Sequence, residues 1–322
     1  NRLGRPGWRN ATLDIEASET GGRAQLALNK GALVFPGLFE RPEVAFDSFG
    51  TKLSWRIAPQ TTGALPVIEV TATDTQFANA DAQGRLAKAV WRSGAGAGFA
   101  RGGRFPGQLD LSAQLSRGRA AAVARYLPLG LPDTRRYLER AVRDGRVASA
   151  TITVKGDLFD FPFVPYTLAG QSQPVVPGGE FRVSARVEDG ELAYVPAKDG
   201  DALAWPAFSR VAGELLFDRN TMEIRNAQAR LWGVELSKVN GGFRDLRKPV
   251  LKIDGEARGP LSDMLRYVNS SPVSGWTGNA LRGATASGAA ELKLALELPI
   301  GELERSSVHG TVQLAGNDVR LT

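Results

Sequence analysis

The feature that most constrains this chain is an alternation of apolar and polar residues that recurs along nearly its whole length. In the longest run, residues 292–298, leucine occupies every second position. Shorter runs of the same kind occur at residues 13–16, 25–29, 68–70, 109–115, 152–154, 181–187, 222–224, 251–253 and 312–314. A period of two places the apolar side chains of a strand on one face. The chain is therefore predicted to be mainly β, a meander of antiparallel strands.

Turn and helix signals divide these runs. Turn-forming residues occur at 21–22, 189–190, 218–220 and 241–242. Short helices are predicted at residues 116–127, 133–142 and 260–268. The first is rich in alanine, the second has Asp133 as a candidate N-cap, and the third has Pro260 near its first turn.

Composition excludes several kinds of chemistry. The 322 residues include no cysteine and a single histidine, His309, so thiolate chemistry and a histidine-based metal site are excluded. The net charge of +6 is small for this length and does not predict nucleic-acid binding. No run approaches the roughly 18 apolar residues of a membrane span. Because the chain begins at Asn1 without a signal-like segment, we expect a piece of a longer protein whose membrane anchor lies elsewhere.

Three local patterns resemble catalytic or phosphate-binding motifs, and each has a simpler interpretation. The glycine tract at residues 94–99 has no following helix and no Lys-Ser/Thr, so it predicts an inter-strand loop. Asp157 and Asp160 lie where a strand ends and suit a turn. His309 falls on the polar face of an alternating segment. The sequence therefore predicts no catalytic residue, no metal site and no cofactor.

One charged stripe is a candidate contact surface. Arg136, Arg140 and Arg143 are spaced i, i+4 and i+7, which places them on one side of the second predicted helix. A solvated face is the default interpretation. Contact with anionic lipid headgroups or an acidic partner is the alternative, and nucleic acid is the least favoured one.

An internal repeat organises the chain. Residues 31–35 match 190–194, Gly50 and Leu53 match Gly213 and Leu216, residues 109–111 match 251–253, and 125–127 match 266–268. The matches keep the same order in both halves, which indicates duplication. We predict a first β-groove repeat over residues 1–165 with two short helices and a second over 166–322 with one. The proline-rich segment 161–179 is the predicted junction.

The alternation leaves two architectures open. Two sheets packed face to face would bury the apolar faces in a sandwich core. A single curved sheet would instead leave its apolar face open as a groove. Periodicity does not separate the two, and the residues alone favour the sandwich.

Ordered motifs give the chain a family resemblance, clearest over residues 31–300. They are Arg-Tyr-Leu-Pro-Leu at 125–129, Gly-Arg-Val-x-x-Ala at 145–150, Lys-Gly-Asp-Leu-Phe-Asp-Phe-Pro-Phe at 155–163, Leu-Ala-Tyr-x-Pro at 192–196, Trp-Pro at 205–206, Gly-Pro-Leu-x-Asp-x-Leu-x-Tyr at 259–267, Ser-Pro-Val at 271–273 and Leu-x-Leu-Pro-Ile at 296–300. The chain resembles the YhdP branch of the AsmA-like family.

The resemblance implies a fold and a role. It implies an elongated, curved antiparallel β-sheet that forms an apolar groove, built from repeats with a few short helices. It implies an interior segment of an inner-membrane-anchored periplasmic protein that carries phospholipid toward the outer membrane. The expected partners are phospholipid acyl chains, both membranes through parts outside this segment, and envelope proteins.

Alternation and resemblance together select the groove-lining candidates. They are Leu109, Leu111, Ile152, Val154, Phe181, Val183, Leu251, Ile253, Leu292, Leu294 and Leu296. A non-catalytic periplasmic scaffold for outer-membrane assembly, binding partners at sheet edges, is the alternative role. An enzyme acting on envelope glycans is a third, for which no acid pair is found.

Overall fold

The computed structural model describes residues 4–60, 63–167, 169–197, 204–276, 278–300, 302 and 305–321. Within these residues, fourteen strands form one antiparallel sheet in which sequence neighbours are almost always spatial neighbours. The strands of this sheet are β1 Gly7–Ser18, β2 Gly21–Val34, β3 Glu43–Ala58, β4 Val67–Ala78, β5 Ala82–Arg92, β8 Gln108–Arg119, β9 Val142–Asp157, β10 Gly179–Leu192, β11 Phe208–Asp218, β12 Thr221–Leu231, β13 Val234–Phe243, β14 Val250–Pro260, β16 Ala289–Pro299 and β17 Ser307–Leu314.

The remaining elements are small. Two-stranded sheets are formed by β6 Gly96–Phe99 with β7 Gly103–Phe105, and by β15 Thr285–Ala286 with β18 Val319–Arg320. The helices are α1 Pro132–Ala141, α2 Leu261–Ser270, α3 Val273–Trp276 and the 3-10 helices Ala120–Tyr126 and Leu158–Asp160. Because the sheet is a meander, its connections alternate between two long rims. We call the rim where β8 and β14 end the helix rim, since α1 and α2 follow there, and the opposite one the loop rim.

Polar residues in the left-handed region bend the strands. They are Asn10, Asp189, Arg210, Asn226 and Lys238, with φ between 47° and 53°. Each coincides with a shift in pairing register. A β-bulge of this kind increases the right-handed twist and bends the strand that carries it. Repeated along the sheet, these bulges produce its curvature.

The sheet is open on its apolar side. The accessible surface is 19828 Å², whereas a compact protein of this mass exposes about 12,900 Å². Within the described residues, no second large sheet packs against the fourteen strands. The sandwich that the residues alone favour is therefore wrong, because a sandwich core needs an opposing layer. The single curved antiparallel sheet is confirmed.

The helix predictions were right for two segments and wrong for part of a third. The segments predicted at 133–142 and 260–268 correspond to α1 and α2. Residues 116–119, predicted as helix, continue β8, and only Ala120–Tyr126 forms a 3-10 helix. Pairing with β5 extends the strand, and the Arg119 backbone N–H then donates to the Asp81 carbonyl.

The predicted division at residue 165 lies in the connection between β9 and β10. These strands pair from Gly179 with Gly156 to Leu192 with Val142. The two predicted halves therefore share one continuous sheet, and their division into repeats stays a prediction.

Candidate functional site: the apolar face of the sheet

The strand registers place apolar residues side by side across the whole sheet. Directly paired residues of an antiparallel sheet project from the same face. One row of paired residues runs through Ile15, Ala24, Leu53, Ala72, Ala89, Leu111, Val154 and Phe181. A second runs through Leu115, Ala150, Ala185, Leu215, Ile224, Gly241, Ile253, Leu296 and Val308. Together the rows form a continuous floor across fourteen strands.

All eleven groove candidates lie on this floor. Leu109 and Leu111 pair with Gly156 and Val154, and Leu292 and Leu294 pair with Ala257 and Gly255. Ten of the eleven side chains are half-buried, and only Val154 is buried, as expected for a sheet face with no layer above it. Their placement on one face is established; their contact with lipid stays a prediction.

Sequence reasoning missed several large floor residues. They include Phe49, Trp55, Trp91, Phe217 and Phe243, which pair with other floor residues. The same period of two identifies most of them, for example in the run from Leu53 through Trp55 to Ile57. The floor also contains Thr51 and Thr75, whose hydroxyls bond to each other at 2.7 Å. Their polarity is thereby satisfied within the sheet.

The floor is most exposed at its two ends. Ile15 in β1 is 53% exposed, and Val308 in β17 is 54% exposed. Leu13, Val312 and Leu314 are also exposed apolar side chains in these end strands. A contiguous exposed apolar surface of this extent marks an interaction surface.

The opposite face is polar and ion-paired. Cross-strand pairs include Arg182–Asp218 and Lys252–Glu297, each at 2.8 Å, and Lys238–Glu256 at 3.0 Å. The hydrogen bond from Lys238 lowers the pKa of Glu256, so this carboxylate stays charged over a wider range of pH. Exposed pairs of this kind contribute little stability. The two faces of the sheet therefore differ in character, one charged and ion-paired and the other apolar.

At the helix rim, the connection after β8 folds back over the β4–β5 hairpin. The hydroxyl of Tyr126 donates to Asp81 Oδ2 at 3.1 Å, and Arg125 donates to the same oxygen at 3.0 Å. Asn79 Nδ2 donates to the Tyr126 hydroxyl at 3.2 Å. The pKa of Tyr126 is raised above its ordinary value, mainly because the side chain is partly buried. These bonds join the 3-10 helix that follows β8 to the β4–β5 hairpin.

The connection after β14 folds back in the same way. Tyr267 in α2 forms a hydroxyl–hydroxyl bond of 2.8 Å with Tyr194, which follows β10. Arg266 lies 4.1 Å from the ring centroid of Trp232 in the β12–β13 turn, a cation–π contact. Trp205 packs edge-on against Tyr194. Sequence reasoning named none of these contacts, because they join distant segments.

At the loop rim, the connection after β9 covers part of the floor. Phe163 is 1% exposed, and its ring fills the space above Gly179 and Gly156. Phe161 packs edge-on against the floor residue Phe181, with ring centroids 4.8 Å apart. The two glycines are required there, because a Cβ at Gly179 would lie 2.3 Å from the Phe163 ring.

The arginine stripe is divided between two elements. Arg136 and Arg140 are in α1, but the helix ends at Ala141 and Arg143 belongs to β9. Arg136 pairs with Asp133, Arg140 donates to the Ala197 carbonyl at 2.5 Å, and Arg143 pairs with Glu191 at 3.1 Å. All three are exposed. Their contact with an anionic surface stays a prediction.

Neither a metal-binding cluster nor a membrane-spanning helix occurs in the part of the chain that the structure describes. Groups of three or more His, Cys, Asp or Glu side chains placed to bind a metal ion do not occur there. Nor does that part contain a helix with the length and hydropathy needed to cross a membrane.

A curved, open sheet with one apolar and one ion-paired face defines a β-groove protein. The chain belongs to the YhdP protein family, whose model matches residues 4–322. It is 25% identical over 214 residues to the intermembrane phospholipid transporter YhdP of Escherichia coli (strain K12). The match covers 66% of this chain and 15% of that protein. No solved structure matches the chain. The family assignment made from the motifs is confirmed.

Proposed function

We propose that this chain is an interior segment of a phospholipid conduit, in which acyl chains travel along the apolar floor. The protein would be anchored in the inner membrane and extend through the periplasm toward the outer membrane. The observation that carries the proposal is the floor itself, an apolar path across fourteen strands with no second large sheet over it in the described residues. The name of the Escherichia coli relative, an intermembrane phospholipid transporter, supports the same role.

The energetics of acyl chains in water explain why such a floor is useful. Exposing a methylene group to water costs about 0.8 kcal/mol, so a chain of about 16 carbons costs roughly 13 kcal/mol. A carrier must therefore keep apolar surface beside the tail at every step. Thirteen strand spacings of about 4.8 Å give a path of about 62 Å along the curved sheet. The polar headgroup can remain hydrated at a rim.

The role requires binding and movement and no bond chemistry. We therefore propose that the segment is non-catalytic and needs no cofactor or metal. The acyl chains are the proposed ligand, and membranes and envelope proteins are proposed partners of the full-length protein.

We also propose that residues 1–165 and 166–322 are duplicated groove units. Equivalent contacts support this proposal. Arg125 and Tyr126 follow β8 and contact the β4–β5 hairpin, whereas Arg266 and Tyr267 follow β14, and Arg266 contacts the β12–β13 turn. Duplication of such a unit lengthens a groove by repeating the same structure.

The edges of the sheet favour a second candidate role. In the described residues, β1 and β17 each have only one neighbour in the main sheet. Free strand edges bind extended segments of other proteins by strand addition. A scaffold for outer-membrane assembly would use these edges and leave the floor unoccupied.

Site-specific photo-crosslinking separates the two roles. A photoreactive amino acid is placed at Ile253 or Leu294 on the floor, and at the adjacent Lys252 or Lys293 on the polar face. A conduit predicts phospholipid adducts at the floor positions alone. Protein adducts at β1 and β17 with no phospholipid on the floor would support the scaffold and exclude the conduit.

A further inference from the structure

A cleft of about 570 Å³ opens at the loop rim, beside the floor. Its volume lies in the range of roughly 300–1,000 Å³ that is typical of small-molecule sites. Its apolar wall includes Phe159, Phe161 and Val164 from the connection after β9. Its polar wall includes Arg101 and Arg247. The floor itself has few polar groups, so this mixed lining distinguishes the cleft from the groove.

The first polar group is built around Arg101. Its Nη1 donates to Asp160 Oδ2 at 2.7 Å, and its Nη2 donates to the Tyr166 hydroxyl at 2.8 Å. The guanidinium also lies 5.2 Å from the ring centroid of Phe159. The Asp160 side chain is only 9% exposed, and Arg101 donates to both of its carboxylate oxygens. Guanidinium groups fixed in this way are suited to phosphate oxygens.

The second polar group is built around Arg247. Its Nη2 and Nε donate to the two carboxylate oxygens of Asp245, at 2.8 and 3.0 Å. Asn220, which lines the cleft with Arg247, donates to Asp245 at 2.8 Å. The residues come from the turns after β11 and β13, so the cleft spans several strands of the loop rim. The bonds named above use Nη1 and Nη2 of Arg101 and Nε and Nη2 of Arg247. Because a guanidinium has five N–H donors and both residues are exposed, Nε of Arg101 and Nη1 of Arg247 can donate to a further acceptor.

The cleft is continuous with the floor through one residue. Phe161 lines the cleft, and its ring packs against Phe181 in β10. Phe217 and Met222, which pair with each other, extend the floor from β10 toward β12. An amphiphile with its tail on these residues would have its polar end at the cleft.

We propose that the cleft binds the phosphate-bearing headgroup of a phospholipid whose acyl chain lies on the adjacent floor. Arg101 and Arg247 would bind the phosphate oxygens. Arg101, Arg247 and Asp160 line the cleft, whereas Asp245, which pairs with Arg247, is outside the lining. The cleft therefore presents two arginines to the phosphate and one carboxylate to an ammonium near that phosphate. This inference rests on the proposed transport of phospholipid, and it adds a specific station for the headgroup.

Two photoreactive phosphatidylethanolamine probes test the assignment on the 322-residue chain. One carries its diazirine on the headgroup, and the other carries it at the end of an acyl chain. We expect the headgroup probe to label residues 159–166 and Arg247, and the tail probe to label floor residues such as Phe181 and Met222. Tail labelling without headgroup labelling at the cleft would overturn this inference alone. Absence of tail labelling on the floor would overturn the proposed function as well.

Substitution of Arg247 gives a second readout. We expect Arg247→Gln to reduce headgroup labelling at the cleft by roughly tenfold, the effect of one charge-assisted hydrogen bond, with tail labelling unchanged. Asp245 keeps its bonds to Asn220 and to the Arg247 backbone N–H in this variant. The matched control is Arg225→Gln, since Arg225 makes an equivalent bidentate pair with Glu223 on the polar face. Equal effects of the two substitutions would contradict the assignment.

A third arm separates a lipid headgroup from free phosphate. Inorganic phosphate is titrated into the chain, and the side-chain N–H signals of the arginines are followed by nuclear magnetic resonance. Saturation by phosphate at millimolar concentration, together with absent headgroup labelling, would assign the cleft to a soluble anion and overturn the lipid assignment. Competition between phosphate and the headgroup probe at Arg247 would support it.

Discussion

Tyr194 and Tyr267 share a hydrogen bond of 2.8 Å between their hydroxyls, although they are 73 residues apart in the chain. The bond joins the segment after β10 to α2, which follows β14. Between these strands lie β11, β12 and β13, so the contact spans four strand spacings of the helix rim. It therefore fixes the curvature of the second half of the sheet at one point.

Removal of one of these hydroxyls should destabilise the chain more than removal of both. Tyr267→Phe leaves the hydroxyl of the half-buried Tyr194 without its partner, at a cost of about 1–3 kcal/mol in the free energy of unfolding. The double variant Tyr194→Phe with Tyr267→Phe should cost less, because no polar group remains unpaired. Urea denaturation of the unsubstituted chain, the single variant and the double variant measures the difference in the free energy of unfolding. A double variant that is less stable than the single one would contradict this account.

The same pair predicts a loss of stability in alkali. Burial raises the pKa of Tyr194 and of Tyr267 above the ordinary value of 10. Above about pH 10 the unfolded chain releases these protons while the folded chain keeps them, so the free energy of unfolding falls as pH rises. Below about pH 10 the two residues contribute no pH dependence.

Urea midpoints measured from pH 8 to about pH 11 test this prediction. The double phenylalanine variant serves as the control and should show a smaller decline. A decline of equal size in both proteins would assign the alkaline sensitivity to other groups.

Asp81 should be far more important for stability than an exposed aspartate. It is 7% exposed and accepts hydrogen bonds from Arg119, Arg125 and Tyr126. Asp81→Asn removes the negative charge to which these donors bond. We expect it to lower the free energy of unfolding by about 2–4 kcal/mol. Asp74→Asn is the matched control, because Asp74 forms an exposed pair with Lys52. The difference is measured as a shift in thermal unfolding, and equal shifts would contradict the role of Asp81.

Gly242 should not tolerate a side chain. A Cβ at this position would lie 1.9 Å from the Met222 carbonyl oxygen, and its φ of 147° is rare for other residues. We expect Gly242→Ala to lower the free energy of unfolding by about 2–3 kcal/mol. The control is Gly50→Ala, because a Cβ at Gly50 would meet nothing within 4 Å. This substitution should leave the free energy of unfolding almost unchanged. Denaturation midpoints of the two variants measure the difference in stability between them.

A charge on the floor should weaken lipid binding without unfolding the chain. Leu294 is half-buried and pairs with Gly255 and Gly310, so a glutamate there fits sterically but places a carboxylate beside the acyl chain. We expect Leu294→Glu to lower co-purified phospholipid by about tenfold or more. Lys293→Glu, on the opposite face, is the control. Lipid content is measured by extraction and mass spectrometry, and equal content in the two variants would count against a lipid-binding floor.

The sequence predicted most strands, because a period of two survives wherever one face is polar and the other apolar. It failed at residues 189–190 and 241–242, which were predicted as turns and lie inside β10 and β13. Asp189 belongs to a bulge, and Gly241 and Gly242 lie where neighbouring strands approach closely. Local composition is similar for a turn, a bulge and a close approach, so only the pairing of strands separates them.

Only part of the candidate site could be predicted from the sequence, for a related reason. The floor follows from alternation and therefore is visible in sequence, whereas the cleft joins Arg101, Asp160, Asn220 and Arg247 from four separate connections. No periodic signal links residues so far apart. The choice between a sandwich and an open sheet was also beyond periodicity, because both architectures need the same one-sided strands.

The regular pairing of floor residues has a consequence for motion. A hydrocarbon tail lying across the strands meets a similar side chain every 4.8 Å or so. Under the proposed transport, a tail that advanced by one strand would leave one floor residue and reach its paired neighbour. Each step would then exchange one apolar contact for another and would expose little of the tail to water. If the proposed transport takes place, a directional bias would have to come from the ends of the path, because the floor itself would supply none.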